Sequence, residues 1–194
     1  MKPKPFDLFE ESKSKANSQP ASASKKKTLI VVGDKKSGKS SVITSLLCNP
    51  SEKIPKPTQS LSFTTISRGS PKTALKIYEI GGGRNAQNLI NVPLNPFDLP
   101  LTSFMIILDF GNPSQMLNSL LFWLKSIRES VERVFEFAAK NKGNGKGNEE
   151  ELDKMKREFM ERIEGVENKH EVLPMFVKVE IICHKFDLFE KTEV

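Results

Sequence analysis

Cysteine and histidine are scarce in this 194-residue chain, which contains two of each. The two cysteines, Cys48 and Cys183, are too few and too far apart for a disulfide framework or a zinc knuckle. Each lies in or beside an apolar run, so we expect both thiols to be buried and reduced. The histidines, His170 and His184, do not have the spacing of metal ligands. These scarcities argue against a zinc site and against a disulfide-stabilised fold.

Long apolar runs are also missing. No stretch approaches the roughly 18 consecutive apolar residues of a membrane-spanning helix, and residues 1–27 contain no apolar run of signal-peptide length. We therefore expect a cytosolic or nuclear protein without membrane insertion. The formal net charge is +6, and lysines recur in clusters near the N-terminus. Because no aromatic residues lie within the lysine cluster at 25–27, the pattern favours a solvated tail and no nucleic-acid partner.

Segments of strand and helix character alternate from Thr28 onward. The predicted strands are 28–32, 61–66, 74–80, 103–110 and 175–183, and the predicted helices are 39–47, 113–140 and 149–164. The alternation predicts an α/β fold with a mainly parallel sheet, in which the second and third strands form an antiparallel hairpin. The apolar stripe expected on the long helix comprises Leu117, Leu120, Leu121, Leu124, Ile127, Val131, Val134, Phe135 and Ala138.

Composition divides the chain into a tail and one domain. Residues 1–27, rich in Lys, Ser, Pro and Ala, are predicted to be a disordered basic tail. Residues 28–194 are predicted to form the domain, with a flexible insertion at 141–148 that contains only Asn, Lys and Gly. The letters Phe-Asp-Leu-Phe-Glu occur at 6–10 and again at 186–190. Chance recurrence is the favoured explanation, and a short docking motif is the alternative.

A phosphate-binding loop follows the first predicted strand. It fits the pattern G-x-x-x-x-G-K-[ST] and consists of Gly33, Asp34, Lys35, Lys36, Ser37, Gly38, Lys39 and Ser40, with Ser41 beyond it. Glycines let the backbone curl until its N–H groups point at phosphate oxygens, and the following helix adds its positive end. Lys39 is expected to reach the β- and γ-phosphates, and Ser40 to ligate Mg²⁺. A surface turn without a ligand is the alternative, disfavoured by the flanking strand and helix.

The end of the third predicted strand supplies further candidates. Glu79 occupies the place of a GTPase Asp and is expected to reach Mg²⁺ through water, while the Gly82 N–H is expected to meet a γ-phosphate. The next residue, Gly83, has no side chain to orient an attacking water. We therefore expect no efficient intrinsic hydrolysis and assign no catalytic residue.

The segment after the fifth predicted strand suggests a guanine nucleotide. Asp187 can accept both guanine N–H groups, and the stem of Lys185 can lie over the base. His184 stands where Asn usually connects this segment to the phosphate loop, so the match is partial, and a polar strand end is the alternative. Thr58 is the candidate for the Thr that closes over Mg²⁺.

With these residues in place, the chain resembles the dynein light intermediate chains, most closely the type found in ciliary, type 2 cytoplasmic dynein. The resemblance rests on the loop at 31–41, the turn at 78–83, the strand at 103–110 with its helix, and residues 184–187. The Glu-Ile-Gly-Gly-Gly turn is the most specific feature, because Ras-like GTPases have Asp and a catalytic Gln there.

The resemblance implies a Ras-like P-loop NTPase fold in a non-motor subunit. It also implies binding to the dynein heavy-chain tail and other dynein 2 subunits, indirect contact with microtubules, and motor assembly for retrograde intraflagellar transport. The implied location is the cytoplasm, the cytoskeleton and the cilium or its basal body. A complete Ras-like domain has a sixth strand and a closing helix. We therefore expect a truncated domain that lacks both.

Three functional hypotheses remain at this point. The preferred one is a non-catalytic subunit that binds a guanine nucleotide, GTP or GDP, with Mg²⁺. The alternative is an active small GTPase that switches between states, against which Gly83 argues. The third is an ATP-using P-loop enzyme, which Asp187 disfavours.

Overall fold

The architecture is a five-stranded sheet flanked by helices on both faces. A computed structural model describes residues 26–47, 61–68, 73–141 and 149–189. The strands are β1 Lys27–Gly33, β2 Leu61–Arg68, β3 Thr73–Ile80, β4 Thr102–Asp109 and β5 Lys178–His184. They are ordered β2-β3-β1-β4-β5, with β2 antiparallel to β3 and all other pairs parallel. The predicted α/β class, the mainly parallel sheet and the hairpin are confirmed.

Within the described ranges, the strands are accompanied by four α-helices and three 3₁₀ segments. The helices are α1 Lys39–Leu47, α2 Pro113–Lys140, α3 Glu149–Ile163 and α4 Phe186–Phe189, and the 3₁₀ segments are Gly83–Asn91, Leu99–Leu101 and Lys169–Glu171. The segments Gly83–Asn91 and Leu99–Leu101 lie where the sequence suggested only a loop. Their backbone order matters for the site, because Gly83–Asn91 lies beside the phosphate loop.

The central strands are buried on both faces, as their continuous apolar runs predict. On one face Ile30 and Val32 of β1 join the larger core beneath α2, which includes Phe104 and Ile106 of β4. On the other face Leu29 and Val31 pack with Ile43 of α1, together with Ile77, Met105 and Ile107. The packing on both faces fixes the positions of the central strands. Their carboxyl ends therefore form one rigid edge, where the phosphate loop begins.

The face that helix α2 turns to the core agrees only in part with the predicted stripe. Leu117 and Leu121 are 64% and 56% exposed. The buried residues of the helix are Ser119, Trp123, Ser126, Ile127, Ser130, Val131, Val134 and Ala138. Three serines and one tryptophan therefore share the buried face with the aliphatic residues. A count of apolar residues at helical spacing misses such serines. The predicted stripe was wrong for Leu117 and Leu121, whereas Leu120 and Leu124 are partly buried and pack against the core.

Two further expectations are corrected near the end of the chain. Strand β5 begins at Lys178 rather than at Met175, and Met175 and Phe176 instead pack beside α2 and α3. Cys183 is exposed, so the prediction of a buried thiol is wrong there. The reason is that β5 pairs only with β4 among the described residues, which leaves its outer side chains less covered than those of β1. Cys48 lies outside the described residues.

Other calls fall on parts of the chain that the structure does not describe. The proposed tail lies outside the described residues except for Lys26 and Lys27, and so does the proposed insertion except for Asn141. The candidate Thr58 and the first Phe-Asp-Leu-Phe-Glu copy lie outside them as well. Within the described ranges, no helix combines the length and apolar character that crossing a membrane requires.

Candidate phosphate-binding site

The candidate site lies at the carboxyl edge of the parallel strands. The loop between β1 and α1 holds the motif residues, while the ends of β3, β4 and β5 bring Glu79, Asp109 and His184 to the same edge. Ligands of open α/β sheets bind in this crevice, since the loops that follow the parallel strands meet there. The predicted loop and the predicted β3 and β5 residues are therefore gathered by the fold itself.

Lys39 lies within the curl of the loop. Its ammonium Nζ donates hydrogen bonds to the carbonyl oxygens of Gly33 at 3.0 Å and Asp34 at 2.7 Å, and the residue is 4% exposed. Burial lowers the pKa of Lys39 below its ordinary value, and the negative charges of Glu79 and Asp34 partly oppose this shift. A buried ammonium in a ring of backbone groups is the arrangement that phosphate oxygens need.

Ser40 and Glu79 form the candidate Mg²⁺ pair. The Ser40 hydroxyl donates to Glu79 Oε1 at 2.7 Å, and Glu79 is 4% exposed. Oxygen atoms of this kind are what Mg²⁺ prefers, and Mg²⁺ usually takes its remaining ligands from water and substrate phosphates. No group of three or more His, Cys, Asp or Glu side chains within the described ranges could hold a metal ion. The protein donors thus fit Mg²⁺ only together with phosphate oxygens.

His184 touches the phosphate loop directly. Gly38 has a φ of +98°, and a Cβ added there would overlap the His184 ring. Glycine is therefore required at this position both by backbone conformation and by space. The contact is packing rather than a hydrogen bond, because His184 Nδ1 is buried without a hydrogen-bond partner. The sequence predicted only that His184 replaces a tethering Asn, not that its ring would fill the same place.

Two buried polar atoms at the loop lack a hydrogen-bond partner among the described residues. Among the described residues, four buried side-chain polar atoms have no hydrogen-bond partner, and two of them are Ser37 Oγ and His184 Nδ1. Buried polar groups are normally paired, so orphans gathered at one place call for an explanation. A polar ligand at the loop would supply one. The donor chemistry of the site therefore fits a phosphate-bearing ligand.

Lys185 and Asp187 lie in surroundings that the sequence did not predict. Lys185 has a φ of +65°, and its Nζ pairs with Asp109 Oδ2 at 2.5 Å. Its ammonium is thus held at the end of β4, a partner that the sequence did not suggest. Asp187 is exposed in the four-residue helix α4, whose Phe186 and Phe189 pack on Phe110. This helix, rather than a loop, would present the carboxylate to a base.

The side chain of Asp34 turns away from the loop interior. It accepts hydrogen bonds from Arg84 Nε at 2.9 Å, from Arg84 Nη2 at 2.8 Å, and from Trp123 Nε1 at 3.1 Å. Burial alone would raise the pKa of Asp34, but the hydrogen bonds and charge of Arg84 and the hydrogen bond of Trp123 outweigh burial and lower it. Asp34 therefore contributes only its backbone to the predicted phosphate-binding loop. Neither Arg84 nor Trp123 was predicted, because both lie far from the motif in sequence.

A cavity of about 420 Å³ opens beside this cluster. It is lined by the start of the loop, by residues 82–85 after β3, and by Asp109 with the first turns of α2. Gly82 lies on its wall, where its N–H was predicted to meet a γ-phosphate. Gly83 has a φ of +64°, and a Cβ added there would lie 2.9 Å from the Lys35 backbone N. The turn after β3 and the phosphate loop are therefore in close backbone contact.

Comparisons with known proteins agree with one another. A family model described as "Dynein light intermediate chain (DLIC)" matches residues 8–176. The chain is 27% identical over 172 residues to cytoplasmic dynein 2 light intermediate chain 1 of Homo sapiens, covering 86% of this chain and 47% of the relative. It is 25% identical over 169 residues to the Bos taurus protein of the same name, covering 84% and 46%.

One solved structure has a similar fold. The structure titled "Crystal Structure of the Dynein Light Intermediate Chain's Conserved Domain" superposes with a TM-score of 0.54 at 16% sequence identity. The match covers 86% of this chain and 58% of that chain. The chain spans about half the length of the curated relatives it matches.

Proposed function

Because the chain belongs to the dynein light intermediate chain family, we propose that it is a non-catalytic, nucleotide-binding subunit of the cytoplasmic dynein 2 complex. The curated relatives carry the name of that motor, and this likeness supports the assignment. The proposed role is assembly of the motor for retrograde intraflagellar transport and cilium formation. Its proposed partners are the heavy-chain tail and other dynein 2 subunits, with microtubules reached only through the motor. The proposed location is the cytoplasm, the cytoskeleton and the base of the cilium.

The observation that supports nucleotide binding is the position of Lys39. Its ammonium is held inside the loop by the Gly33 and Asp34 carbonyls, one residue before the Ser40–Glu79 pair. A bound nucleotide would place its β- and γ-phosphates against Lys39, and Mg²⁺ would supply charge neutralisation next to Ser40. In the proposal, Asp187 selects guanine by accepting its N–H groups.

The proposed lack of catalysis follows from the residues after Gly82. Gly83 presents no side chain to an attacking water. Gln87, the next Gln along the chain, accepts a hydrogen bond from Ser126 of α2 at 3.1 Å, so its side-chain oxygen is turned toward the helix. Arg84 is paired with Asp34 and is not free to neutralise charge on a transferring phosphoryl group. A nucleotide bound to this subunit would stabilise the fold.

An active GTPase switch is the competing function, and the intact loop with its Ser40–Glu79 pair favours it. A direct test measures the affinities of the purified 194-residue chain for GTP, GDP and ATP in the presence of Mg²⁺. We expect guanine nucleotides to bind, and Lys39→Ala to weaken binding at least about tenfold, because it removes the phosphate-facing charge. Lys125→Ala is the matched control, since Lys125 lies on the exposed face of α2 in a pair with Glu129.

Hydrolysis and partner binding complete the test. Single-turnover conversion of GTP that Lys39→Ala abolishes would replace the subunit hypothesis with the GTPase switch, and tighter binding of ATP than of GTP would favour an ATP-using enzyme. Co-purification with a recombinant dynein 2 heavy-chain tail tests the subunit role independently of nucleotide. Failure to co-purify at micromolar concentrations would remove that role for this chain.

A further inference from the structure

The 3₁₀ segment Gly83–Asn91 lies where Ras-like GTPases carry a region that responds to the γ-phosphate. In such switches, contacts with the γ-phosphate and Mg²⁺ order the region, and hydrolysis releases it. We propose that Arg84, through its ion pair with Asp34, fixes this segment to the phosphate loop. The position of the segment therefore does not depend on whether the bound nucleotide is a triphosphate or a diphosphate. The inference rests on the proposed nucleotide binding and names Arg84 as a positioning residue for that site.

The fork between Arg84 and Asp34 is the first observation behind the proposal. Arg84 donates from Nε and Nη2 to the two different carboxylate oxygens of Asp34, at 2.9 and 2.8 Å. Both side chains are partly withdrawn from water, at 38% and 29% exposure. Paired, parallel hydrogen bonds between a guanidinium and a carboxylate restrict geometry as well as adding energy. One residue of the phosphate loop and one residue of the segment are therefore held in a single relative position.

Helix α2 anchors this pair to the core. Trp123 is fully buried and donates its indole N–H to Asp34 Oδ1 at 3.1 Å. The neighbouring Phe122 lies beneath the guanidinium, with Arg84 Cζ 5.2 Å from the ring centroid. An arginine over an aromatic face gains a further favourable interaction. Asp34 and Arg84 are thus each held by α2 in addition to holding one another.

The backbone of the segment leaves little room for movement. Gly83 approaches the Lys35 backbone N so closely that even a methyl group would crowd it. Ala86 and Ile90 are buried in the larger core, at 8% and 0% exposure. Moving the segment would expose both apolar side chains and separate Asp34 from Arg84. A well-packed region of this kind is not drawn from the low-stability parts of a fold.

The consequence for ligand binding follows from linkage. A ligand shifts a conformational equilibrium only by the difference between its affinities for the two states. Where the segment has one strongly favoured position, the γ-phosphate has no second state of the segment to select. The preference between the two nucleotides is then set by contacts of the phosphates with the loop and the Gly82 N–H, not by movement of the segment.

The first arm of the test needs no nucleotide. Amide hydrogen exchange of the 194-residue chain reports opening of the segment Gly83–Asn91. We expect Arg84→Ala to accelerate exchange in this segment at least about tenfold, because local opening free energies control these rates. Trp123→Phe keeps the ring packing but removes the N–H donor, so it should accelerate exchange by a smaller factor. Arg157→Ala, which alters an exposed arginine of α3, is the control and should change nothing there. Unchanged exchange in Arg84→Ala would overturn the proposal.

The second arm compares GDP with a non-hydrolysable GTP analogue. We expect the wild-type chain to show the same exchange pattern in Gly83–Asn91 with either nucleotide, since a ligand with equal affinity for both states of the segment shifts no population. In Arg84→Ala the analogue should slow exchange in the segment and GDP should not. A change in exchange of this segment that the analogue but not GDP produces in the wild type would overturn the proposal. If neither nucleotide binds, the proposed function fails, and the first arm still decides whether Arg84 fixes the segment.

Discussion

Asp34 connects three parts of the domain, since its carboxylate binds Arg84 of the 3₁₀ segment and Trp123 of α2 while its carbonyl binds Lys39. We predict that Asp34→Asn lowers the free energy of unfolding at pH 7 by about 1–3 kcal/mol, because it removes a charge-assisted fork and leaves a partly buried guanidinium poorly paired. Chemical denaturation of the two chains measures this difference. The exposed Asp153 on α3 offers a control, since Asp153→Asn should change stability by less than about 0.5 kcal/mol.

The same pair of chains should differ in their response to acid. The folded pKa of Asp34 is lowered, so the folded state binds fewer protons than the unfolded state as the pH falls toward the folded value. The stabilisation is therefore complete above the unfolded pKa of about 4 and is lost as the pH falls through the lower folded value. Denaturation between pH 3 and pH 7 should show the wild-type advantage over Asp34→Asn shrinking below about pH 4. A constant difference over this range would show that charge is not the source of the effect.

The phosphate loop was readable from the sequence because its chemistry is local. Eight consecutive residues between a buried strand and an apolar helix are enough to predict where Lys39 and Ser40 lie, and Glu79 follows from its place at the end of a strand. The partners Arg84 and Trp123 were not readable. Arg84 is 50 residues from Asp34 in the chain and Trp123 is 89, and only the packing of the 3₁₀ segment against α2 brings them together.

At the scale of elements, α2 shows which helical positions carry stability. Ile127 is fully buried and belongs to the larger core, whereas Leu117 on the same helix is 64% exposed. We predict that Ile127→Ala costs about 2–5 kcal/mol of unfolding free energy, from lost burial and the cavity left behind. Leu117→Ala should change it by less than about 0.5 kcal/mol, since it removes surface that already contacts water. Thermal or urea denaturation of both variants checks this, and equal losses would contradict the observed orientation of the helix.

The same helix explains why elements were predicted better than their faces. The strands and helices followed from apolar runs, turn residues and caps, and their bounds agree within a few residues. Rotation about the axis of α2 was harder, because Ser119, Ser126 and Ser130 are buried while leucines near the start are not. Where a helix packs closely on a sheet, small polar residues can occupy the interface, and apolar periodicity then indicates a helix without indicating its buried side.

At the scale of the whole molecule, the central strands of the sheet are covered on both faces, whereas the edge strand β5 is less covered. The alternation of strands and helices predicted a mainly parallel sheet but not the order of its strands, and the central strands β1 and β4 are buried. The likeness to a solved light intermediate chain domain supports the same architecture. Among the described residues β5 pairs on one side only, and the apolar cavity of about 580 Å³ between β5 and α2 is bordered by Lys125 and Arg128. Self-association through this edge depends on chain concentration, which no sequence pattern specifies.

The β5 edge leads to a prediction about association. Leu121, Leu173 and Ile181 line this cavity at 56%, 69% and 49% exposure, beside a strand with unpaired backbone groups on one side among the described residues. Exposed apolar strand edges favour pairing with another chain, and a lysine on the edge opposes it. We predict that the 194-residue chain self-associates as its concentration rises, and that Ile181→Lys reduces this association. Val92→Lys replaces a residue with 64% exposure outside this cavity and is the matched control. Sedimentation velocity over a concentration series should show the wild type and the control associating alike and Ile181→Lys remaining monomeric to higher concentration. If all three chains behave identically, the β5 edge is not the contact surface.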